Sequence, residues 1–187
     1  LVIITKAEAD MKIGLTGFFF FLTSMVAQAQ VQAGRPPSCG MFQATFIRET
    51  GDVNAAFVRP LVVSRSASQG DFFDLVTNMR IDGLLECRGD ALVRFEVKIG
   101  LPSDTATTGK FEQVQNAAIR AALGWNATRA STAVRTMSRE AEEYLRASNQ
   151  RGDVFVAGKT EYHEGGADMG MIWTMRDRTL IIVGAGS

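Results

Sequence analysis

Residues 81–99 decide the fold, and they read Ile-Asp-Gly-Leu-Leu-Glu-Cys-Arg-Gly-Asp-Ala-Leu-Val-Arg-Phe-Glu-Val-Lys-Ile. From Val93 onward, apolar and charged residues alternate, and this period of two is typical of a strand with one buried face. Gly89-Asp90 interrupts the pattern and predicts the turn of a β-hairpin. The stretch therefore predicts a sheet with one buried face and one hydrated face.

The register of this hairpin follows from its two faces. A two-residue loop would set Leu85 against Arg94 and mix apolar with charged side chains, whereas a three-residue loop over residues 89–91 keeps them apart. Because a slip of one residue inverts the faces, this agreement selects the longer loop. The predicted pairs are Cys87–Val93, Leu85–Phe95, Gly83–Val97 and Ile81–Ile99 on the buried face, with Glu86–Arg94 and Asp82–Lys98 on the hydrated face.

The N-terminal residues predict export. Met11 and Lys12 are followed by an apolar run over residues 13–26, and Ala27-Gln28-Ala29 matches a small-x-small cleavage site. The run is shorter than the ~20 residues that cross a bilayer as a helix, so we favour a signal peptide over a retained anchor. We expect residues 1–29 to be upstream residues plus a cleaved signal, residues 30–40 a linker-like mature N-terminus, and residues 41–187 one domain.

Charge and cysteine content restrict the possible partners and the compartment. Lysine plus arginine equals aspartate plus glutamate at 20 each, which argues against nucleic acid or an anionic membrane as the main partner. The two cysteines, Cys39 and Cys87, predict one disulfide if the protein is exported. Two buried free thiols are the alternative.

The flanks of the central hairpin predict further strands. Residues 41–48 and 57–64 are each interpreted as a strand, and Pro60 places the second at a sheet edge or at a bulge. Residues 73–81 alternate in polarity, which favours a strand that runs into the hairpin. A short helix over residues 72–79 is the alternative.

After Pro102 the apolar period lengthens and predicts two helices. Thr108 is the predicted N-cap of the first and Gly124 its C′ residue, and the second begins between Asn126 and Ser131. The two apolar stripes are Phe111, Val114, Ala118, Ala121 and Trp125, and then Val134, Met137, Ala141, Tyr144 and Leu145.

The C-terminal part returns to strands, at residues 154–162, 169–176 and 179–185. The last two predict a hairpin around Asp177, in which Trp173 faces Ile181 and Met171 faces Val183. Ile172 and Ile182 make the other face apolar too, so this pair is expected at the centre of the sheet. The fold class is α+β: an antiparallel β-sheet of hairpins with a two-helix insertion packed on one face.

His163 is the only histidine, so any imidazole chemistry must use it. In a strand, Glu161 and His163 would point the same way, and the glycine-rich turn after Glu164 would return Asp168 to their neighbourhood. These four residues form a candidate metal or acid/base cluster. The alternative is a solvated hairpin loop.

Three methionines, Met169, Met171 and Met175, are predicted to share one strand face. Thioethers bind Cu(I), so a copper site is one hypothesis and a methionine-rich core is the other. Arg-Gly-Asp occurs at residues 88–90 and 151–153, where it is either an adhesion signal or ordinary turn chemistry.

No nucleophile, base and orienting group occur together at a recognisable spacing, so we assign no catalytic residue and expect no cofactor. We expect a small exported protein, periplasmic or secreted, that acts as a non-catalytic binding or protein-interaction module. Its partner would be another envelope or secreted protein, with no nucleic acid and no membrane span after signal cleavage. The alternatives are a metal-binding protein or metal-dependent hydrolase using Glu161, His163, Glu164 and Asp168, and a Cu(I) carrier using Met169 and Met171.

Overall fold

The computed structural model describes residues 38–60, 70–151, 158–164 and 167–184, with the backbone alone for 150–151 and 158–164. The helices are α1 (Cys39–Thr50), α2 (Thr105–Leu123) and α3 (Ala127–Arg151), and a 3₁₀ turn covers Gly51–Val53. The strands are β1 (Ala56–Val58), β2 (Asp71–Val76), β3 (Ile81–Arg88), β4 (Ala91–Gly100), β5 (Gly158–Glu164), β6 (Ala167–Trp173) and β7 (Asp177–Gly184).

The described strands form one antiparallel sheet in the order β1-β2-β3-β4-β7-β6-β5. The helices pack on one of its faces, with α1 against β4, α2 against β4 and β7, and α3 against β5 and β6. This arrangement confirms the α+β class. We call the helix-packed side of the sheet the covered face and the opposite side the open face.

The central hairpin keeps most of its predicted register but contains a bulge. Ile81–Ile99, Gly83–Val97 and Leu85–Phe95 are paired as predicted. The predicted Cys87–Val93 pair is wrong: the register shifts after Glu86, so Cys87 pairs with Leu92 and the loop is two residues long. With a two-residue turn, Cys87 can point to the covered face only if β4 contains one extra residue. Val93 is that residue, and it forms a β-bulge.

Residues 41–48 are helical, so the predicted strand there is wrong. Phe42 and Phe46 are four residues apart, on one side of α1, and both are fully buried. The Ser38 side chain caps the helix by accepting a hydrogen bond from the Met41 N–H at 3.2 Å. The apolar residues have the spacing of a helix, but the segment is too short for this period to be recognised in the sequence.

The second predicted strand, over residues 57–64, is a strand only at β1, and residues 61–69 lie outside the described part. Strand β1 lies at the sheet edge, as Pro60 predicted. Residues 72–76 belong to strand β2 and not to a helix, but β2 ends at Val76, five residues before β3 begins at Ile81.

The ends of the two long helices are set by polar caps. Asp104, and not Thr108, is the N-cap of α2, because its carboxylate accepts the Thr107 N–H at 2.7 Å. Gly124 ends α2 in the left-handed conformation at φ 65°, as predicted. The Asn126 side-chain oxygen, Oδ1, accepts the Arg129 N–H at 2.9 Å, so α3 begins inside its predicted window.

The C-terminal hairpin exists, but its predicted register is wrong. Trp173 pairs with Arg178 and Met171 with Leu180. The turn lies at residues 174–176, before Asp177, because the Thr174 hydroxyl accepts the Asp177 N–H at 3.0 Å and closes the chain there. Strand β7 is central, between β4 and β6, as expected. Strand β5 begins at Gly158, and the first residues of the predicted 154–162 strand lie outside the described part.

Candidate functional site

The open face is the side of the sheet that no described helix covers. Its side chains are those that alternate with the buried ones, so their identity follows from the pairing of the strands. On β6 and β7 the open face carries Ile172, Ile181 and Val183, all half-buried. Leu84 on β3 is also half-buried, and Glu96 on β4 lies between it and Ile181.

Charged side chains run beside the apolar ones on β4. The Arg94 guanidinium contacts the Glu96 carboxylate at 2.7 Å in a partly hydrated pair. Over the strands whose side chains are described, carboxylates outnumber cations on the open face. The carboxylates are Asp74, Asp82, Glu86, Glu96, Asp168 and Asp177, and the cations are Arg88, Arg94 and Lys98.

A cleft of about 310 Å³ lies between α1 and α2 in the helix layer. Glu49 forms one wall, and its carboxylate bonds to the Arg120 guanidinium from the other helix. The residues that line the cleft are Glu49, Gly109, Glu112, Gln113, Asn116, Ala117 and Arg120. None of these residues is a serine, cysteine, threonine or histidine, so the lining offers no hydroxyl or thiol nucleophile and no imidazole base.

A second ion pair, at the rim of the cleft, joins α2 to the 3₁₀ turn that follows α1. Lys110 contacts the Asp52 carboxylate, and the Gln113 amide donates to the same carboxylate at 3.0 Å. These hydrogen bonds, with that from Lys110 the stronger influence, lower the pKa of Asp52. These contacts therefore favour the charged form of Asp52.

The backbone brings two of the predicted metal residues opposite each other. The pairing of β5 with β6 sets His163 against Asp168 and Glu161 against Gly170, while Glu164 faces Ala167. Asp168 is exposed. Over the residues whose side chains are described, no group of three His, Cys, Asp or Glu side chains is arranged to hold a metal ion. The metal assignment stays a prediction, because the side chains of residues 158–164 lie outside the description.

The three methionines do not share one environment. Met169 and Met171 are buried on the covered face, and the Ser138 hydroxyl donates to the Met171 sulfur at 3.5 Å. Met175 lies in the turn after β6 and is exposed. The predicted common face is therefore wrong for Met175, because the strand ends at Trp173.

The first Arg-Gly-Asp triplet lies at the tip of the central hairpin and has a structural role. The Asp90 backbone oxygen accepts the Cys39 N–H at 2.6 Å, and its carboxylate accepts the Gly40 N–H at 3.4 Å. Cys39 and Cys87 form a disulfide beside these contacts, as predicted. The tip thus holds the start of α1. The second triplet begins at Arg151 and runs outside the described residues.

Neither the cleft nor the open face could be recognised as a candidate site from the sequence alone. Glu49 and Arg120 are 71 residues apart, and no local pattern announces their contact. No family model matches the chain, and neither a curated protein nor a solved structure shows significant similarity to it. Among the described helices, none is both long and apolar enough to cross a membrane.

Proposed function

We propose that this protein is an exported, non-catalytic binding module whose open face docks a protein partner. The observation that carries the proposal is the open face itself, where Ile172, Ile181, Val183 and Leu84 lie beside a row of charges with no described helix over them. Apolar side chains with a charged border are typical of protein interfaces.

The size and charge of the open face indicate the kind of complex. Seven strands that lie ~4.8 Å apart and are ~20 Å long give the open face an area of roughly 600 Å². This area is somewhat below the ~800 Å² that each partner contributes to a standard interface, so a reversible complex fits. Because carboxylates outnumber cations on this face, the partner would present aliphatic side chains with a basic border.

Export is supported by the N-terminal signal-like residues and by the Cys39–Cys87 disulfide. Disulfides persist in oxidising compartments, so a periplasmic or extracellular location agrees with the bond. N-terminal sequencing of the mature protein, expected to begin near Gln30, tests this part of the proposal. Material that retains Met11 would contradict it.

Site-specific photo-crosslinking tests the docking surface. A photoreactive side chain at Ile181 should give a defined adduct in cells that produce the protein naturally, because the partner covers that position. The matched control is Tyr144, an exposed side chain on α3. A second exchange, Leu84→Asp, should reduce the Ile181 adduct at least tenfold by placing a charge in the interface. Adducts from Tyr144 alone would overturn the assignment of the open face.

One observation favours a second function, metal binding: the backbone sets His163 directly opposite Asp168, with Glu161 two residues away on the same strand. Titration of the protein with Zn²⁺ tests it, with His163→Ala as the variant and Met175→Leu, at an exposed residue outside β5, as the matched control. Tight binding that His163→Ala abolishes would favour a metal protein. Equal weak binding by all three would leave the docking proposal in place.

A further inference from the structure

The two edges of the described sheet differ in how readily another strand can pair with them. Strand β1 has only three residues, and Pro60 lies two residues beyond its end. Short edge strands and prolines are features by which natural sheets prevent edge-to-edge pairing. Strand β5 has seven residues and no proline, and all seven pair with β6 without a bulge. Within the described part of the chain, no strand pairs with the outer side of β5, so a further strand can add there.

A second copy of this chain could pair with β5 across a two-fold axis. Identical strands related by an axis perpendicular to the sheet are antiparallel, and the two helix layers then lie on the same side. Residues that pair across the axis must belong to the same face, because the faces alternate along a strand. Thr160 pairs with Met171 of the covered face, so Lys159 and Glu161 occupy open-face positions. This condition leaves only registers that are centred on one residue of β5.

The charged residues of β5 favour one of these registers. If Thr160 is at the centre, Lys159 of each copy is opposite Glu161 of the other, and Thr160 is opposite itself. Opposite charges and paired threonines both stabilise antiparallel strands. A centre at Lys159 or Glu161 would pair like charges across the axis, which is destabilising. A centre at Tyr162 would exclude Lys159 from the pairs that the described strand can form.

We propose that this chain forms a closed dimer in which β5 pairs with β5 of a second copy, in the register centred on Thr160. Because β1 is short and followed by Pro60, head-to-tail pairing of β1 with β5 is disfavoured, and the assembly ends at two copies. The pairing covers residues 158–162 of each copy. This interface is small, so the dimer should dissociate on dilution. The dimer joins the two open faces into one continuous sheet, but it does not depend on the function proposed for that face.

Sedimentation velocity of the full mature chain at low salt, over a range of concentrations, tests the proposal. Lys159→Glu and Glu161→Lys each create like charges at both symmetric pairs, so each variant alone should dimerise at least tenfold more weakly. An equimolar mixture of the two variants should restore the dimer, because the mixed pair carries only opposite charges. Within the chain, residues 159 and 161 are opposite Ile172 and Gly170, so neither change creates a like-charge pair with β6.

The matched control is Asp74→Lys, a charge reversal at an exposed residue on β2, near the other edge of the sheet. It should leave dimerisation unchanged. Thermal melts of all variants verify that the fold is retained. The mixing step separates pairing between copies from a structural effect, because a fold that one substitution has damaged is not repaired by adding a second variant.

Cysteine crosslinking tests the register. Under mild oxidation of the purified protein, Thr160→Cys should give a disulfide-linked dimer, because residue 160 is opposite itself. Tyr162→Cys is the control, and it should not crosslink, because residue 162 is opposite Gly158. A wild-type chain that stays monomeric at millimolar concentration would overturn the dimer and would favour a segment of another protein at this edge. Failure of the mixture to restore the dimer, or a crosslink from Tyr162→Cys in place of Thr160→Cys, would also overturn the proposal.

Discussion

Strand β4 presents two different environments to consecutive side chains. Phe95 points to the covered face, where its ring lies 5.0 Å from that of Phe42 and 5.3 Å from that of Phe46, and it is fully buried. Arg94 points to the open face, where nearly half of its side chain is exposed beside Glu96. The same backbone thus carries a packed aromatic core on one side and a hydrated surface on the other.

This contrast separates stability from binding in the molecule. The covered face holds the aromatic cluster, the disulfide and the three helices, so substitutions there should change the free energy of unfolding. The open face is held by the same hydrogen-bond ladder but packs no described helix. Substitutions on it should therefore change partner binding while the fold persists.

The largest expected effect is at Phe95. Phe95→Ala removes a fully buried ring from the contacts with Phe42 and Phe46, and we expect a loss of ~3–5 kcal/mol in the free energy of unfolding. Arg94→Ala is the matched control, and it should cost less than ~1 kcal/mol because its pair with Glu96 is hydrated. Chemical denaturation measures both. Comparable losses at the two positions would show that the open face is also covered by packed structure.

The disulfide gives the next largest effect. Cys39 and Cys87 are 48 residues apart, and a chain-entropy estimate for closing this loop is ~4 kcal/mol, an upper figure for a bond that typically contributes 2–4 kcal/mol. The double variant Cys39→Ala and Cys87→Ala should lose about this much in urea unfolding. Reduced wild-type protein should lose a similar amount. Two titratable thiols in the native exported protein would contradict the bond.

Gly83 tests how tightly the covered face is packed between β2 and β4. A Cβ atom there would lie 2.8 Å from the Glu96 backbone oxygen and 2.9 Å from the Leu75 Cβ, so Gly83→Ala should cost ~1–3 kcal/mol through overpacking. Gly100→Ala is the control, since an added Cβ meets nothing within 4 Å. A neutral Gly83→Ala would mean that β2 can move away from β3 at little cost.

The two hairpins show how far the sequence alone could predict the fold. In β3–β4 the charged residues alternate with apolar ones, so one register satisfied both faces and most pairs were predicted correctly. In β6–β7 both faces are apolar, so several registers looked equally good, and the turn at Thr174 decided between them. Helix α1 was missed because its two core phenylalanines are also compatible with a strand.

The candidate sites were less predictable than the fold. The open face follows from the alternation once the strands are placed, but the absence of a described helix over it depends on where α1, α2 and α3 pack. The cleft depends on a contact between Glu49 and Arg120 that only the tertiary structure creates. The disulfide was predictable because a chain with two cysteines offers a single pairing.

The smallest expected effect concerns the start of α2 in the helix layer. The hydrogen bonds that Asp104 accepts from Thr107, that from its backbone N–H first, lower the pKa of the Asp104 carboxyl. A lowered pKa in the folded state means that the carboxylate stabilises the fold above about pH 4 and loses this contribution as the pH falls through the folded-state value. Asp104→Asn keeps an acceptor for the cap but does not titrate, whereas Asp104→Ala removes the cap as well.

Thermal melting of the three proteins between pH 7 and pH 2 measures this contribution. Near pH 7 we expect the wild type to melt highest, Asp104→Asn slightly lower and Asp104→Ala lowest. The gap between wild type and Asp104→Asn should close as the pH falls below about 4, because the wild-type carboxyl then becomes protonated. The gap between the two variants should stay open, since neither residue titrates. A difference between wild type and Asp104→Asn that does not depend on pH would show that the carboxylate charge adds nothing at this cap. Hydrogen bonding alone would then stabilise the start of α2. Any loss of helix stability in acid would have to come from another carboxylate, such as Asp52 at the rim of the cleft.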